Sequence, residues 1–211
     1  GFIVIRLNAD GIYDNYITTG NTSFQENWKM LWSCNGGSPQ ILVAGGGTNS
    51  NINMGRFAPP GVSVTATNLT GIANTGATGW AQDVADIVLD PVNGDVYTIY
   101  GSLIGTPSIS NMIYKNAAPY SAASLAWSVN SGFVSIMEIQ NRPYLTAGLI
   151  DNSCNVLAVN ANYLFYWDGR NLKAFNKATG AAVGTSLTIA ANTLLQQGGI
   201  VADECKQRHD T

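Results

Sequence analysis

An all-β fold of repeated four-stranded antiparallel units, stacked like the blades of a propeller, is what this sequence predicts. Three observations carry that expectation. A strand pair recurs along the chain, each time as a β-rich run, a turn centred on Gly or Asn, and a second β-rich run. After each pair comes a short strand opening with Asn, then one more β-prone run. Charged residues are only 11% of the 211, which suits short strands and tight turns better than long surface helices. Four short strands per unit, repeating at about 40–70 residues, is the signature of blades whose broad faces only neighbouring blades cover.

In chain order, FIVIRLNADG (residues 2–11) reads as an outer strand of a split blade, with Asn8–Gly11 as its hairpin corner. The first full strand pair is Leu31–Gly37 with Ile41–Gly45, followed by Asn53–Phe57 and VSVTAT. The second is Ile87–Gly94 with Asp95–Gly101, followed by Asn111–Lys115 and SLAWSV. The third is Val156–Asn162 with Tyr163–Gly169, followed by Asn171–Phe175 and AAVGTSLTI. A fourth begins at Gly199–Asp203 and stops at a polar tail, Lys206–Thr211. The chain is thus read as one domain over 1–211, with three to four irregular blades: 1–24 (outer strands), 25–79, 80–140, 141–197 and 198–211 (start of the split blade). Gly148–Cys154 resembles Gly199–Cys205 in spacing and competes with the register of the third blade. Helical pattern is confined to Trp80–Ile87 and Ala190–Gln197, a turn of helix each at most. Either residues 2–17 complete the blade begun at Gly199, closing a four-bladed ring, or the chain is a fragment of a larger propeller whose open edges favour self-association.

The residues Arg6-Leu7-Asn8-Ala9-Asp10-Gly11, with Asp14 and Tyr16, followed by Ile41–Gly46, resemble the delta-60 repeat. Its pattern is R-L-N-x-D-G-x-x-D-x-x-F and then an I-L-V-x-G-G strand. The resemblance covers residues 2–47 and implies a β-propeller of a bacterial surface or secreted protein, or of a phage structural protein. It brings no catalytic residues. The stretch YWDGRNLKAFNKATG also looks like a blade of quinoprotein type.

Candidate chemistry is sparse. A net charge of −3 with scattered Lys and Arg argues against nucleic acid as a partner. No stretch reaches the roughly 20 apolar residues that span a bilayer, and the first residues do not read as a signal peptide. Cys34, Cys154 and Cys205 have neither disulfide-framework nor zinc spacing. The single histidine, His209, lies in the polar tail. Asp90-Pro91-Val92-Asn93-Gly94-Asp95 offers oxygen ligands at short spacing, as do Asp10 and Asp14. Calcium is a minority reading at both places, because Asn93-Gly94 between strands is first a hairpin signal and Asp10 shapes a turn; no other cofactor is expected. Asp14 is expected to accept backbone N–H bonds in its turn. Glu26, Asp83, Asp86, Glu138 and Asp151 are the carboxylates a glycosidase would draw on, and each reads as solvated or turn-forming. Gly45–Thr48 lacks the Lys and the helix of a phosphate loop. Trp32, Trp80, Tyr120 and Trp127, near turns or strand ends, are the candidate stacking surface. The leading expectation is a non-catalytic binding or structural module of a secreted, cell-surface or virion protein, contacting protein or glycan. A carbohydrate-active enzyme and a quinoprotein-like cofactor domain are the alternatives.

Overall fold

A computed structural model describes residues 3–18, 26–34, 39–46, 54–57, 65–67, 69, 84–100, 112–118, 120–131, 156–167, 171–188 and 200–202. These residues are all-β, in four small antiparallel sheets. The first has two strands, β1 (Ile3–Leu7) and β2 (Tyr13–Thr18). The second is the meander β3 (Glu26–Ser33), β4 (Gln40–Gly46), β5 (Met54–Phe57) and β6 (Thr65–Thr67). The third is β7 (Val84–Leu89), β8 (Val96–Tyr100), β9 (Met112–Asn116) and β10 (Leu125–Asn130). The fourth is β11 (Leu157–Val159), β12 (Tyr163–Trp167), β13 (Asn171–Asn176) and β14 (Ala182–Thr188). A 3-10 turn, Ala122–Ser124, leads into β10. The helical pattern over Trp80–Ile87 is corrected in its described part. Val84–Leu89 is a strand, because Ile87 and Leu89 pack on one side of the sheet and Val88 on the other. Ala190–Gln197 and the competing repeat Gly148–Cys154 lie outside the described residues.

The turns explain why the chain reverses where it does. Asn8 Oδ1 accepts the N–H groups of Asp10 (3.0 Å) and Ile12 (2.9 Å). Asp90 accepts from Val92 (2.9 Å), Asn160 from Asn162 and Tyr163 (3.0 and 2.9 Å), and Asn176 from Ala178 and Thr179 (2.9 and 3.1 Å). Each side chain stands in for a missing backbone partner while the chain bends. Gly11, Gly94 and Gly180 close three of these turns at φ of +76°, +75° and +74°, a region costly for any residue with a Cβ.

The β7–β10 sheet is buried on both sides, and strand alternation sorts its residues. Ile87, Val96 and Tyr114 join Leu42, Ala44, Met54, Leu69 and Tyr120 in a cluster against the β3–β6 sheet. Tyr97, Ile99 and Ile113 face the other way and pack with Leu157, Leu164, Tyr166 and Phe175 against the β11–β14 sheet. Each such side chain contributes about 1.5–3 kcal/mol by burial. In chain order, therefore, three four-stranded sheets stack face to face. Their first strands lie side by side, with β7 against β3 on one side and β11 on the other.

Candidate functional site

Where the end of β3 meets the β7–β8 turn, a shallow groove of about 410 Å³ opens between Trp32, Ser33, Cys34 and residues 89–94. Trp32, next to last in β3, has 54% of its surface exposed, and Val92 in the same groove is 75% exposed. The indole N–H of Trp32 donates to Cys34 Sγ at 2.9 Å, which fixes the ring's orientation; Cys34 is a free, exposed thiol. Beneath the groove lies Tyr120, fully buried. Its hydroxyl donates to the Gly94 carbonyl (2.8 Å) and sits 3.3 Å from Ser33 Oγ, tying the end of β3 to the β7–β8 turn from below. Tyr120 reaches this place from a backbone at φ +61°, an uncommon conformation for an aromatic residue.

Beside the groove, two lysines stitch sheets together. Lys177, from the β13–β14 turn, places Nζ 2.6 Å from Asp90 Oδ2, with the carboxylate fully buried. Lys115 of β9 places its own Nζ 2.9 Å from Asp95 Oδ2 and 3.0 Å from the Lys177 carbonyl. The Trp127 indole N–H donates to that same carbonyl at 3.0 Å. Lys115 also lies over the Tyr97 ring, 5.7 Å from its centroid, and Trp127 packs on Tyr97 at 5.8 Å. Burial, with Asp90 and Asp95 nearby, pushes the Tyr97 hydroxyl well above the ordinary tyrosine range.

A third polar centre lies where the first strands meet. Asp86 of β7 accepts from Lys29 Nζ of β3 and from the Ile87 N–H through Oδ1, both at 2.8 Å. Its Oδ2 accepts the N–H groups of Val156 and Leu157, again at 2.8 Å each. One carboxylate thus bonds three sheets. Burial raises its pKa above the ordinary 3.8, while Lys29 and the backbone N–H groups of Leu157 and Ile87 pull it back down.

The sequence candidates divide accordingly. Trp32 lines the groove, and Tyr120 lies beneath it with no exposed surface, so it positions rather than presents. Trp127 is half-buried on Tyr97 and beside Gly180, away from the groove, and Trp80 lies outside the described residues. Asp90 and Asp95 meet Lys177 and Lys115, and Asp14 meets the Arg6 guanidinium at 2.6 Å. Asp10 is exposed in its turn. Asn8, not Asp14, accepts the backbone N–H groups of that turn; its shorter reach from the corner suits it to the task. Among the described residues no three His, Cys, Asp or Glu side chains converge as a metal site would require. Asp86, read as solvated or turn-forming, is neither. Its signal was a lone charge inside the apolar run VADIVL, and such a charge in a buried strand needs partners from elsewhere. Asp83, Glu138 and Asp151 lie outside the described residues.

No protein-family model and no curated protein matches the chain. Among solved structures it is similar to that of a functionally unknown protein from Desulfotomaculum acetoxidans DSM 771, at 18% identity and a TM-score of 0.52. The match covers 92% of this chain and 51% of that one, so the chain spans about half that protein's length. The likeness is one of fold.

Proposed function

We propose that the chain is a non-catalytic binding and structural module, a propeller-like stack of blades in a secreted, cell-surface or virion protein. Its contacts with glycan or protein are made at the groove beside Trp32. The blade reading is supported by three consecutive four-stranded meanders with adjacent first strands, all joined at Asp86. The cellular setting rests on the resemblance of residues 2–47 to the delta-60 repeat.

One observation carries the contact surface. An exposed indole, its N–H bonded to Cys34 Sγ, lines with Val92 a shallow groove whose nearby carboxylate, Asp90, is paired with Lys177. A fixed aromatic face stacks on a sugar ring or an apolar side chain with little ordering entropy left to lose. The exposed Asn93 side chain supplies a polar neighbour. The test is an array of glycans probed with the chain and with Trp32→Ala, fold being checked by circular dichroism. The expected result is a bound glycan whose affinity falls about tenfold or more on removal of the indole. A glycan bound equally by both proteins, or one cleaved by the chain, overturns the reading.

A further inference from the structure

Among the described residues that line the Trp32 groove, Asp90 is the one with a formal charge, and the fold already holds that charge. Its Oδ1 accepts the Val92 N–H at 2.9 Å, its Oδ2 lies 2.6 Å from Lys177 Nζ, and the residue has no exposed surface. Neighbouring polar groups are engaged in the same way. The Trp32 indole N–H donates to Cys34 Sγ at 2.9 Å, and Ser33 Oγ lies 3.3 Å from the Tyr120 hydroxyl. Asn93 is exposed and differs from them. Its Oδ1 accepts the Asp95 N–H at 2.9 Å, which leaves the two Nδ2 donors of the same amide to a ligand.

We infer that the groove takes an uncharged sugar, its C–H face laid on the Trp32 indole and one hydroxyl accepting from Asn93 Nδ2. This rests on the contact surface proposed above and narrows it to one chemistry. A sialic acid, a uronate or a sulfated sugar gives up hydration of its anionic group there, while Lys177, the cation beside the groove, is already paired. A cationic ligand fares no better, because Asp90 is buried beneath the surface it would touch. Depth separates a sugar from an apolar side chain. Apolar anchors gain most in pockets that exclude water on every side. This groove is shallow, and Trp32 and Val92 are both largely exposed in it. A pyranose loses less in such a place, since it buries one C–H face on the indole while its other hydroxyls stay in water.

The test titrates the whole chain with lactose, cellobiose, mannobiose and chitobiose, and with sialyllactose and sulfated lactose, at about 50 and about 500 mM NaCl. The expected result is a neutral disaccharide bound with an affinity that salt changes less than about twofold, and no gain from the sialyl or sulfate group. Asn93→Asp keeps the acceptor for the Asp95 N–H and removes the donor, so it should weaken binding about three- to tenfold. Trp32→Ala should weaken it about tenfold or more. Tightest binding of an anionic sugar, affinity lost at high salt, or an affinity unchanged by Asn93→Asp overturns the uncharged-sugar inference, while sensitivity to Trp32→Ala keeps the groove. Binding of none of these sugars overturns it too, and an uncharged leucine-rich peptide held through Trp32 would then mark a protein partner. A disaccharide bound equally well by Trp32→Ala removes the groove reading itself.

Discussion

Asp86 is the residue on which most of the assembly turns. Truncation to Ala removes the carboxylate that Lys29 bonds and strips the Val156 and Leu157 N–H groups of an acceptor. Removing one partner of a buried pair is costly, and we expect Asp86→Ala to lower stability by about 3 kcal/mol, read from the urea midpoint. The pH dependence has a definite sign. Burial raises the folded-state pKa above 3.8, so protons bind the folded chain more tightly than the unfolded one. The stabilisation linked to this group is fully present below its ordinary pKa and is lost as pH rises through the raised value. Relative to Asp86→Asn, which does not titrate, wild-type stability should fall as pH rises from about 3.5 to 7; a rise instead would show that Lys29 and the N–H groups outweigh desolvation. Tyr97 gives a contrasting case, since its buried hydroxyl has no hydrogen-bond partner among the described residues. Tyr97→Phe keeps the ring and removes an unsatisfied group, and should be neutral or stabilising by up to about 1 kcal/mol in the same measurement.

The elements are set by their turns. Gly11 and Gly180 share a left-handed φ but differ in surroundings. A Cβ on Gly11 meets open space, so Gly11→Ala costs only backbone strain, about 1–2 kcal/mol. A Cβ on Gly180 would lie 2.9 Å from the Trp127 ring, which is held by Tyr97 and the Lys177 carbonyl. Gly180→Ala should therefore lower the melting temperature distinctly more than Gly11→Ala; equal effects would mean that the ring yields freely. These reversals were largely legible from Asn8-Ala9-Asp10-Gly11, Asp90–Gly94 and Asn176–Gly180, because turn chemistry is local and needs nothing from the rest of the chain. Strand positions after each pair were legible for the same reason, alternation and β-branching being short-range properties.

At the scale of the molecule, the β7–β10 sheet is held from both faces, so the stacked sheets should open together. Hydrogen exchange is expected to be slowest in β7, β8 and β9 and fastest in β1–β2. A sheet that exchanged independently of its neighbour would show that the Asp86 and Lys177 links do not couple them. The candidate site was only partly legible, and the reason is physical. Trp32 announced itself as an aromatic beside a turn, but Tyr120 looked the same and is wholly buried. Exposure depends on which sheet covers a residue, and nothing local records it.

The sequence by itself determined the strands, their turns and the grouping of twelve strands into three four-stranded meanders, since each depends on contacts between near neighbours in the chain. Only the tertiary structure decided the partners of the charges. Asp86 with Lys29 spans 57 positions, and Asp90 reaches Lys177 from another sheet. A carboxylate's fate, as ligand, base or staple, follows from what packs against it at long range. The same four-stranded pattern that identifies the sheets is silent on that.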